Sequence, residues 1–129
     1  MKLRIVLADD NAEFLKMFGL LLDGDFDVVA KVSDGSAAVE RISVLQPEVA
    51  VIDLEMPLLN GLEVISELKK RSSPTAVVIC SVETDADIVQ AALNAGAAGY
   101  VHKARVAKDL VLAVKAVSRG ERFVSSTGV

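Results

Sequence analysis

The chain has few of the residues that mark specialised protein classes. Among its 129 residues are one cysteine (Cys80), one tyrosine and no tryptophan. A single cysteine cannot form an internal disulfide or a cysteine-based zinc site, so we expect a reducing, cytoplasmic location. No apolar run approaches the roughly 18 residues that a membrane span needs, and no charged-then-apolar signal peptide opens the chain. We therefore expect no membrane partner.

Basic residues are also scarce relative to acidic ones. Lys and Arg number 14 against 18 Asp and Glu, which gives a formal net charge of -4. Because phosphate binding needs clustered Lys and Arg, we do not expect the surface to bind nucleic acid. Hydrophobic residues make up 52% and charged residues 25%, a globular composition that excludes wholesale disorder. The length corresponds to one domain.

Short apolar runs alternate with amphipathic stretches along the chain. The runs predict five strands, over residues 3–8, 26–31, 49–53, 75–80 and 99–102. Helical spacing predicts five helices, over residues 11–23, 36–45, 61–70, 85–95 and 106–119. Continuously apolar strands indicate burial on both faces, so we predict an α/β fold, a doubly wound parallel sheet. The domain should cover residues 1–119, and the unpatterned segment 120–129 should begin a linker or a disordered tail.

Polar residues follow four of the predicted strands. Asp9 and Asp10 follow the first strand, Asp53 ends the third, Ser81 follows the fourth and Lys103 follows the fifth. Each alone has an ordinary explanation, as a helix cap, a turn residue or a solvated charge. Ligand sites of open parallel sheets lie at the carboxyl ends of the strands, so we expect all five side chains to converge.

This set of residue types suits phosphoryl transfer. Several close carboxylates repel one another unless a cation lies among them, and oxygen-only ligands favour Mg²⁺. A carboxylate beside Mg²⁺, an ammonium and a hydroxyl can attack phosphorus while the other groups neutralise the phosphoryl oxygens. No P-loop and no G-x-G-x-x-G motif occurs, so a nucleotide cofactor is not indicated.

Taken together, these motifs resemble the receiver domain of bacterial two-component response regulators. The matching residues are Asp9-Asp10, Asp53 followed by Met56-Pro57 and Gly61, then Ser81, and Tyr100-x-x-Lys103. The resemblance runs from Leu3 to about Arg119. It implies a flavodoxin-like (βα)5 fold with strand order 2-1-3-4-5. It also implies a phosphoacceptor that assists its own phosphotransfer and dephosphorylation, and not an enzyme acting on a separate substrate.

The resemblance assigns a role to each site residue. Asp53 would receive a phosphoryl group from a histidine of a sensor kinase. Asp10, Asp53 and the backbone carbonyl of Glu55 would ligate Mg²⁺, with Asp9 acting through a water. Lys103 would pair with the phosphoryl group.

Two further residues would form the switch that the resemblance implies. Ser81 would swing to donate a hydrogen bond to a phosphoryl oxygen, and Tyr100 would then rotate inward. We expect His102 to be a loop residue without a catalytic role, and Cys80 to be a buried, inert thiol.

The end of the chain resembles receivers that precede a LuxR-type helix-turn-helix domain. The matching stretches are Lys108-Asp109-Leu110 and the segment from Arg119-Gly120-Glu121 to Ser125. This implies a transcriptional output in which DNA is bound only through an output domain absent from this chain. The alternative is a stand-alone receiver that docks to a partner protein.

Helical spacing also predicts a dimer patch. On the first helix Leu20 falls opposite Phe14 and Phe18, and on the last helix Leu112 falls on the outward side beside Lys108. Isolated exposed leucines are common, but these two helices are neighbours in the expected fold. We predict that Leu20 and Leu112 contribute to a homodimer that forms on phosphorylation.

Three other functions compete with a receiver. A Mg²⁺-dependent phosphatase with an aspartate nucleophile would need an acid two residues after it, and Glu55 has that spacing from Asp53. Such enzymes usually place the nucleophile after the first strand and carry a cap domain. A flavin module of the same topology would want Ser, Thr and Gly where this chain has Asp9-Asp10. An interaction module that no longer accepts phosphate would not need the full set of charged residues.

Overall fold

Residues 2–126 are described by a computed structural model, and they alternate strand and helix throughout. The strands are β1 Leu3–Ala8, β2 Phe26–Val32, β3 Val49–Asp53, β4 Ala76–Ser81, β5 Gly99–His102 and β6 Phe123–Val124. The helices are α1 Ala12–Leu22, α2 Gly35–Leu45, α3 Gly61–Lys70, α4 Ala86–Ala95 and α5 Val106–Ser118. A short 3₁₀ turn, Lys103–Arg105, joins β5 to α5.

All strands form one parallel sheet in the order β2-β1-β3-β4-β5-β6. This confirms the predicted doubly wound sheet and its 2-1-3-4-5 order. Every residue of β3 is buried, which is the two-sided burial that its continuous apolar sequence indicated. Along β3, Ala50 and Ile52 face the core beneath α2, α3 and α4, whereas Val49 and Val51 face the core beneath α1 and α5.

Side-chain caps determine where the helices begin beside the sheet edge. The side chain of Asn11 accepts hydrogen bonds from two backbone N–H groups at the start of α1. Asp34 caps α2, and Asn60 forms a capping box with Glu63 at the start of α3. These caps satisfy N–H groups that have no partner within the helix. In the described range 2–126, no helix is both long and apolar enough to traverse a bilayer.

Gly61 allows α3 to begin close to the carboxyl end of β3. A Cβ atom at this position would lie 2.8 Å from the carbonyl oxygen of Asp53, so any other residue would push α3 away. The Gly61 N–H donates a hydrogen bond to the carbonyl of Leu54 over 2.8 Å. The glycine of the Met-Pro-x-x-x-Gly motif therefore allows the loop after Asp53 to turn back toward the end of β3 before α3 begins.

β6 was not predicted from the sequence. Phe123 and Val124 pair with Gly99 and Tyr100 of β5, and the following Ser125 is buried. We expected the folded domain to end at about Arg119, but the sheet gains a strand beyond that residue. Whether the segment acts as a linker stays a prediction, and residues 127–129 of it lie outside the described range.

A hydrogen-bond cluster closes this edge of the sheet. Ser125 Oγ donates to Asp109 Oδ2 over 2.7 Å and accepts from the backbone N–H of His102 over 3.1 Å. Arg105 Nε donates to the same Asp109 oxygen over 3.0 Å. His102 is only 3% exposed and ends β5, which agrees with the strand predicted over residues 99–102 and not with the expectation of a loop residue. The strand continues through His102 because β6 and Ser125 cover its outer edge.

Ser125→Ala is expected to destabilise the protein by about 1–3 kcal/mol, because it leaves the buried N–H of His102 without an acceptor. The measurement is urea unfolding followed by circular dichroism. Ser36→Ala, a change at an exposed serine of α2, serves as the control and should change the free energy of unfolding little. Equal effects of the two substitutions would contradict the importance of this cluster.

Candidate functional site

Three carboxylates meet at the carboxyl edge of the sheet. One oxygen each from Asp9, Asp10 and Asp53 lies within 4.8 Å of the other two. Asp9 is fully buried and Asp53 is 6% exposed, whereas Asp10 faces solvent. β1 and β3 are adjacent parallel strands, so their ends bring these residues together as the sequence analysis expected.

Lys103 lies among the carboxylates. Its Nζ atom is 2.8 Å from Asp9 Oδ2 and 3.3 Å from Asp53 Oδ2, and its side chain is 8% exposed. The contact with Asp9 Oδ2 is an ion pair that lacks the angle of a hydrogen bond. On another side, Nζ lies 4.2 Å from the centre of the Phe14 ring. The ammonium is thus held by two acids and an aromatic face.

The charges in this pocket shift the pKa values of Asp53 and Lys103. Burial, together with the negative charge of Asp9, raises the pKa of Asp53 to about 6, although Lys103 and the backbone N–H of Glu55 act in the opposite direction. Burial lowers the pKa of Lys103, but its contacts with Asp9 and Asp53 outweigh that effect and leave the pKa raised. At neutral pH the lysine is therefore a fixed positive charge, and the ionised Asp53 is destabilised by its surroundings.

The donor set fits a divalent cation of the hard type. All the grouped atoms are carboxylate oxygens, which are the ligands that Mg²⁺ prefers. Burial, together with the negative charge of Asp9, raises the pKa of Asp53 despite the nearby ammonium of Lys103, so a bound cation would favour the ionised carboxylate further. The backbone of Glu55 also lies beside the acidic group, because its N–H donates a hydrogen bond to Asp53 Oδ1 over 3.4 Å.

Ser81 and Tyr100 lie at the neighbouring strand ends. Cys80 is the register partner of Asp53, so Ser81 extends just past Asp53 on the adjacent strand. Ser81 Oγ accepts a hydrogen bond from the Glu83 N–H over 3.0 Å, and the Tyr100 hydroxyl donates to the Glu83 carbonyl over 2.9 Å. Glu83 therefore connects the two residues through its backbone.

Tyr100 is fully buried and so already has the inward orientation that was expected only after phosphorylation. Its ring packs edge-on against His102, with ring centres 5.6 Å apart. Burial raises the pKa of its hydroxyl, so the hydroxyl stays a hydrogen-bond donor at neutral pH. Cys80 is also fully buried, and burial raises the pKa of its thiol to about 12, which agrees with an inert thiol.

Phe14 is the site residue that sequence reasoning missed. Its helical spacing with Phe18 indicated only a core position, and the structure shows that it also lies over Lys103. Helical periodicity could not have indicated this contact, because Asp9 and Asp10 precede the Asn11 cap and lie outside the helix that carries Phe14.

Comparisons with known proteins agree with this geometry. The family model described as "Response regulator receiver domain" matches residues 5–115. The transcriptional regulatory protein NarL of Mycobacterium tuberculosis is 34% identical over 126 residues, covering 96% of this chain and 58% of that protein. The DNA-binding transcriptional activator EvgA of Escherichia coli is 28% identical over 130 residues, covering 95% and 64%. The chain thus spans about three fifths of the length of these curated relatives.

Solved structures show the same fold. The signal receiver domain of NarL from M. tuberculosis superimposes with a TM-score of 0.89 at 34% identity, covering 93% of this chain and 98% of that one. A two-component response regulator of the LuxR family from Aurantimonas sp. gives a TM-score of 0.90 at 26% identity, covering 95% and 89%. With the family model matching most of the chain, and with the acidic pocket and its lysine at the expected strand ends, this chain belongs to the response regulator receiver domain family.

Proposed function

We propose that this chain is a phosphorylation-activated switch that accepts a phosphoryl group on Asp53 from a histidine of a sensor kinase. The observation that carries the proposal is the position of Asp53: its carboxylate is nearly buried, 3.3 Å from the Lys103 ammonium and grouped with two further carboxylates. A phosphoacceptor needs a nucleophilic oxygen, positive charge beside it and a means of holding a cation, and this pocket provides all three.

The transfer is balanced in bonds and electrons. An oxygen of Asp53 attacks phosphorus, and the new P–O bond forms as the P–N bond of the donor phosphohistidine breaks. The imidazole leaves with that electron pair and takes a proton from solvent. The Lys103 ammonium donates hydrogen bonds to the phosphoryl oxygens. Asp10, Asp53 and the Glu55 carbonyl, with Asp9 through a water, would hold Mg²⁺, which supplies positive charge for the same oxygens.

The switch is proposed to work through the loop that follows β4. Once Asp53 carries a phosphoryl group, Ser81 donates its hydroxyl hydrogen to one of the new oxygens. The contact of Ser81 with the Glu83 N–H then changes, and the Glu83 carbonyl is the acceptor for the Tyr100 hydroxyl. Phosphorylation adds about -1.5 to -2 charges, enough to bias such a local two-state arrangement.

A transcriptional output in the cytoplasm is proposed from the curated relatives. NarL is described as a transcriptional regulatory protein and EvgA as a DNA-binding transcriptional activator. DNA would then be bound by an output domain beyond this chain. The alternative is a receiver that acts alone by docking to a protein partner. The reading frame after Val129 separates the two, because only the first requires a downstream helix-turn-helix domain.

A phosphorylation assay tests the receiver against the phosphatase alternative. The chain is incubated with Mg²⁺ and a small acyl phosphate, and both intact mass and released phosphate are followed. We expect a single phosphate-sized mass gain and slow release of phosphate. Rapid release of many equivalents without a stable adduct would favour a phosphatase, and no mass gain at any Mg²⁺ concentration would contradict the proposal.

Homodimer formation on phosphorylation is proposed to involve Leu20 and Leu112. Their side chains are 69% and 56% exposed, and their helices α1 and α5 pack against each other. Leu112→Glu is expected to keep the phosphorylated protein at the sedimentation coefficient of the monomer, because a charge at the patch opposes burial. Val44→Glu, on the exposed side of α2, should leave the dimer intact. A dimer that persists in Leu112→Glu would show that the patch lies elsewhere.

A further inference from the structure

An aromatic ring completes the surroundings of the Lys103 ammonium. Nζ lies 4.2 Å from the centre of the Phe14 ring, within the range of a cation–π interaction. Phe14 belongs to α1, whereas Asp9 directly follows β1 and Asp53 is the last residue of β3. Three separate segments therefore fix the position of one charged atom.

The orientation of this ring is set independently of the lysine. Phe14 packs against Phe18 with ring centres 5.7 Å apart, and Phe18 is 1% exposed. The backbone N–H of Phe14 donates to the side chain of Asn11, which caps α1. A ring anchored in the core and at the helix start presents a fixed face, so it can orient the more flexible lysine.

We propose that Phe14 is a positioning residue for phosphoryl transfer, which it serves by holding the Lys103 ammonium beside Asp53 through the face of its ring. The inference rests on the proposed function of Asp53 and adds a residue to it. A lysine has a flexible four-carbon stem, and donors that are already in place need no reorganisation when the reaction occurs.

An aromatic face suits this task better than another polar group. Asp9 and Asp53 each form an ion pair with the Lys103 ammonium, and a further hydrogen-bond acceptor would compete with the phosphoryl oxygens for its N–H donors. The attraction of a ring is broad in direction, so the ammonium can shift toward a phosphoryl group without breaking a directional bond. An aliphatic side chain would fill the same space without attracting the charge.

The competing explanation is that Phe14 serves only to fill the hydrophobic core. Ring fluorination distinguishes this explanation from a role in positioning Lys103. Successive fluorine substitution on the Phe14 ring weakens the negative potential of its face while changing its volume little. The rate of phosphorylation by a small acyl phosphate is measured at saturating Mg²⁺. We expect a stepwise decrease with fluorine number, a loss of about 3- to 10-fold in Phe14→Leu, and near wild-type rates in Phe14→Tyr.

Phe26→Leu is the matched control. Phe26 is a buried aromatic residue of the same core at the start of β2, so its change should lower stability while leaving the phosphorylation rate of the folded protein within about twofold. A rate that does not change with fluorination would overturn the inference, as would an equal loss in Phe26→Leu.

A second measurement needs no phosphorylation. The ring current of Phe14 should shift the Lys103 side-chain proton resonances upfield, and Phe14→Leu should remove that shift. Failure of the two proposals can be told apart. A wild-type chain that never gains phosphate overturns both, whereas normal Asp53 phosphorylation with no dependence on fluorination overturns only the role of Phe14.

Discussion

Asp53→Asn is expected to abolish phosphate uptake from a small acyl phosphate and Mg²⁺, as measured by intact mass. The amide that replaces the carboxylate is a poor nucleophile, and the change also removes one of the three acids grouped at the site. We expect this to be the largest single effect on function. Among the described residues only Asp9 and Asp53 belong to the acidic group and also lie within 4 Å of Lys103, and Asp9 is fully buried.

Asp27→Asn is the control for this result. Asp27 is an exposed carboxylate in β2, so its removal should leave phosphate uptake unchanged. Asp53→Asn protein that gained phosphate at the wild-type rate would place the phosphoacceptor at another residue. Circular dichroism of both variants should show the native secondary structure, which ensures that a lost mass gain reflects chemistry and not unfolding.

The same substitution is expected to stabilise the metal-free protein at neutral pH. Burial and the charge of Asp9 raise the pKa of Asp53 from 3.8 to about 6, so folding carries a free-energy penalty whenever this acid is ionised. The shift corresponds to roughly 2–3 kcal/mol when both the folded and the unfolded state are ionised. A neutral amide avoids the penalty, and the free energy of unfolding of Asp53→Asn should exceed that of the wild type by about this amount.

The stability that Asp53→Asn gains over the wild type should increase with pH. Below pH 3.8 Asp53 is protonated in both states, and the wild type and the variant should have similar stability. The wild-type penalty grows as the pH rises from 3.8 to about 6, because the unfolded chain loses the proton first, and it is constant above that range. Urea unfolding in a metal chelator, repeated over this range, measures the difference, with Asp27→Asn again as the control.

Mg²⁺ should stabilise the wild type more than Asp53→Asn. A cation that binds only the folded state stabilises it by mass action, and Asp53→Asn lacks one of the proposed ligands. Adding Mg²⁺ at neutral pH should therefore raise the stability of the wild type more than that of the variant. Equal stability of the two proteins in chelator at pH 7 would show that ionised Asp53 carries no free-energy penalty on folding. Equal responses to Mg²⁺ would show that the carboxylate of Asp53 does not help to bind this ion.

Much of the fold could be predicted from the sequence because its elements have strong local patterns. The bounds predicted for β3, α3 and β5 agree with the structure, since each begins or ends at a residue that breaks the pattern, such as Gly61. Parallel topology then places the ends of successive strands at one edge. That is why Asp9, Asp53 and Lys103 could be expected near one another before any distance was known.

The missed features depend on contacts that no local pattern records. β6 has only two residues, and it forms because Gly99 and Tyr100 offer a free strand edge. The predicted strand over residues 99–102 included His102, but no local pattern indicated that its side chain is buried. Its burial depends on Ser125, which arrives from beyond α5.

The sequence by itself determined the alternation of strands and helices, the parallel sheet and the edge at which the charged side chains lie, because periodicity and chain order are enough for these. Only the tertiary structure decided that Lys103 contacts both Asp9 and Asp53 and lies over Phe14. It also decided that Ser125 closes the edge of the sheet. The physical reason is that hydrophobic patterns determine which face of an element is buried, whereas the contacts of a buried charged group depend on side chains that come from other segments.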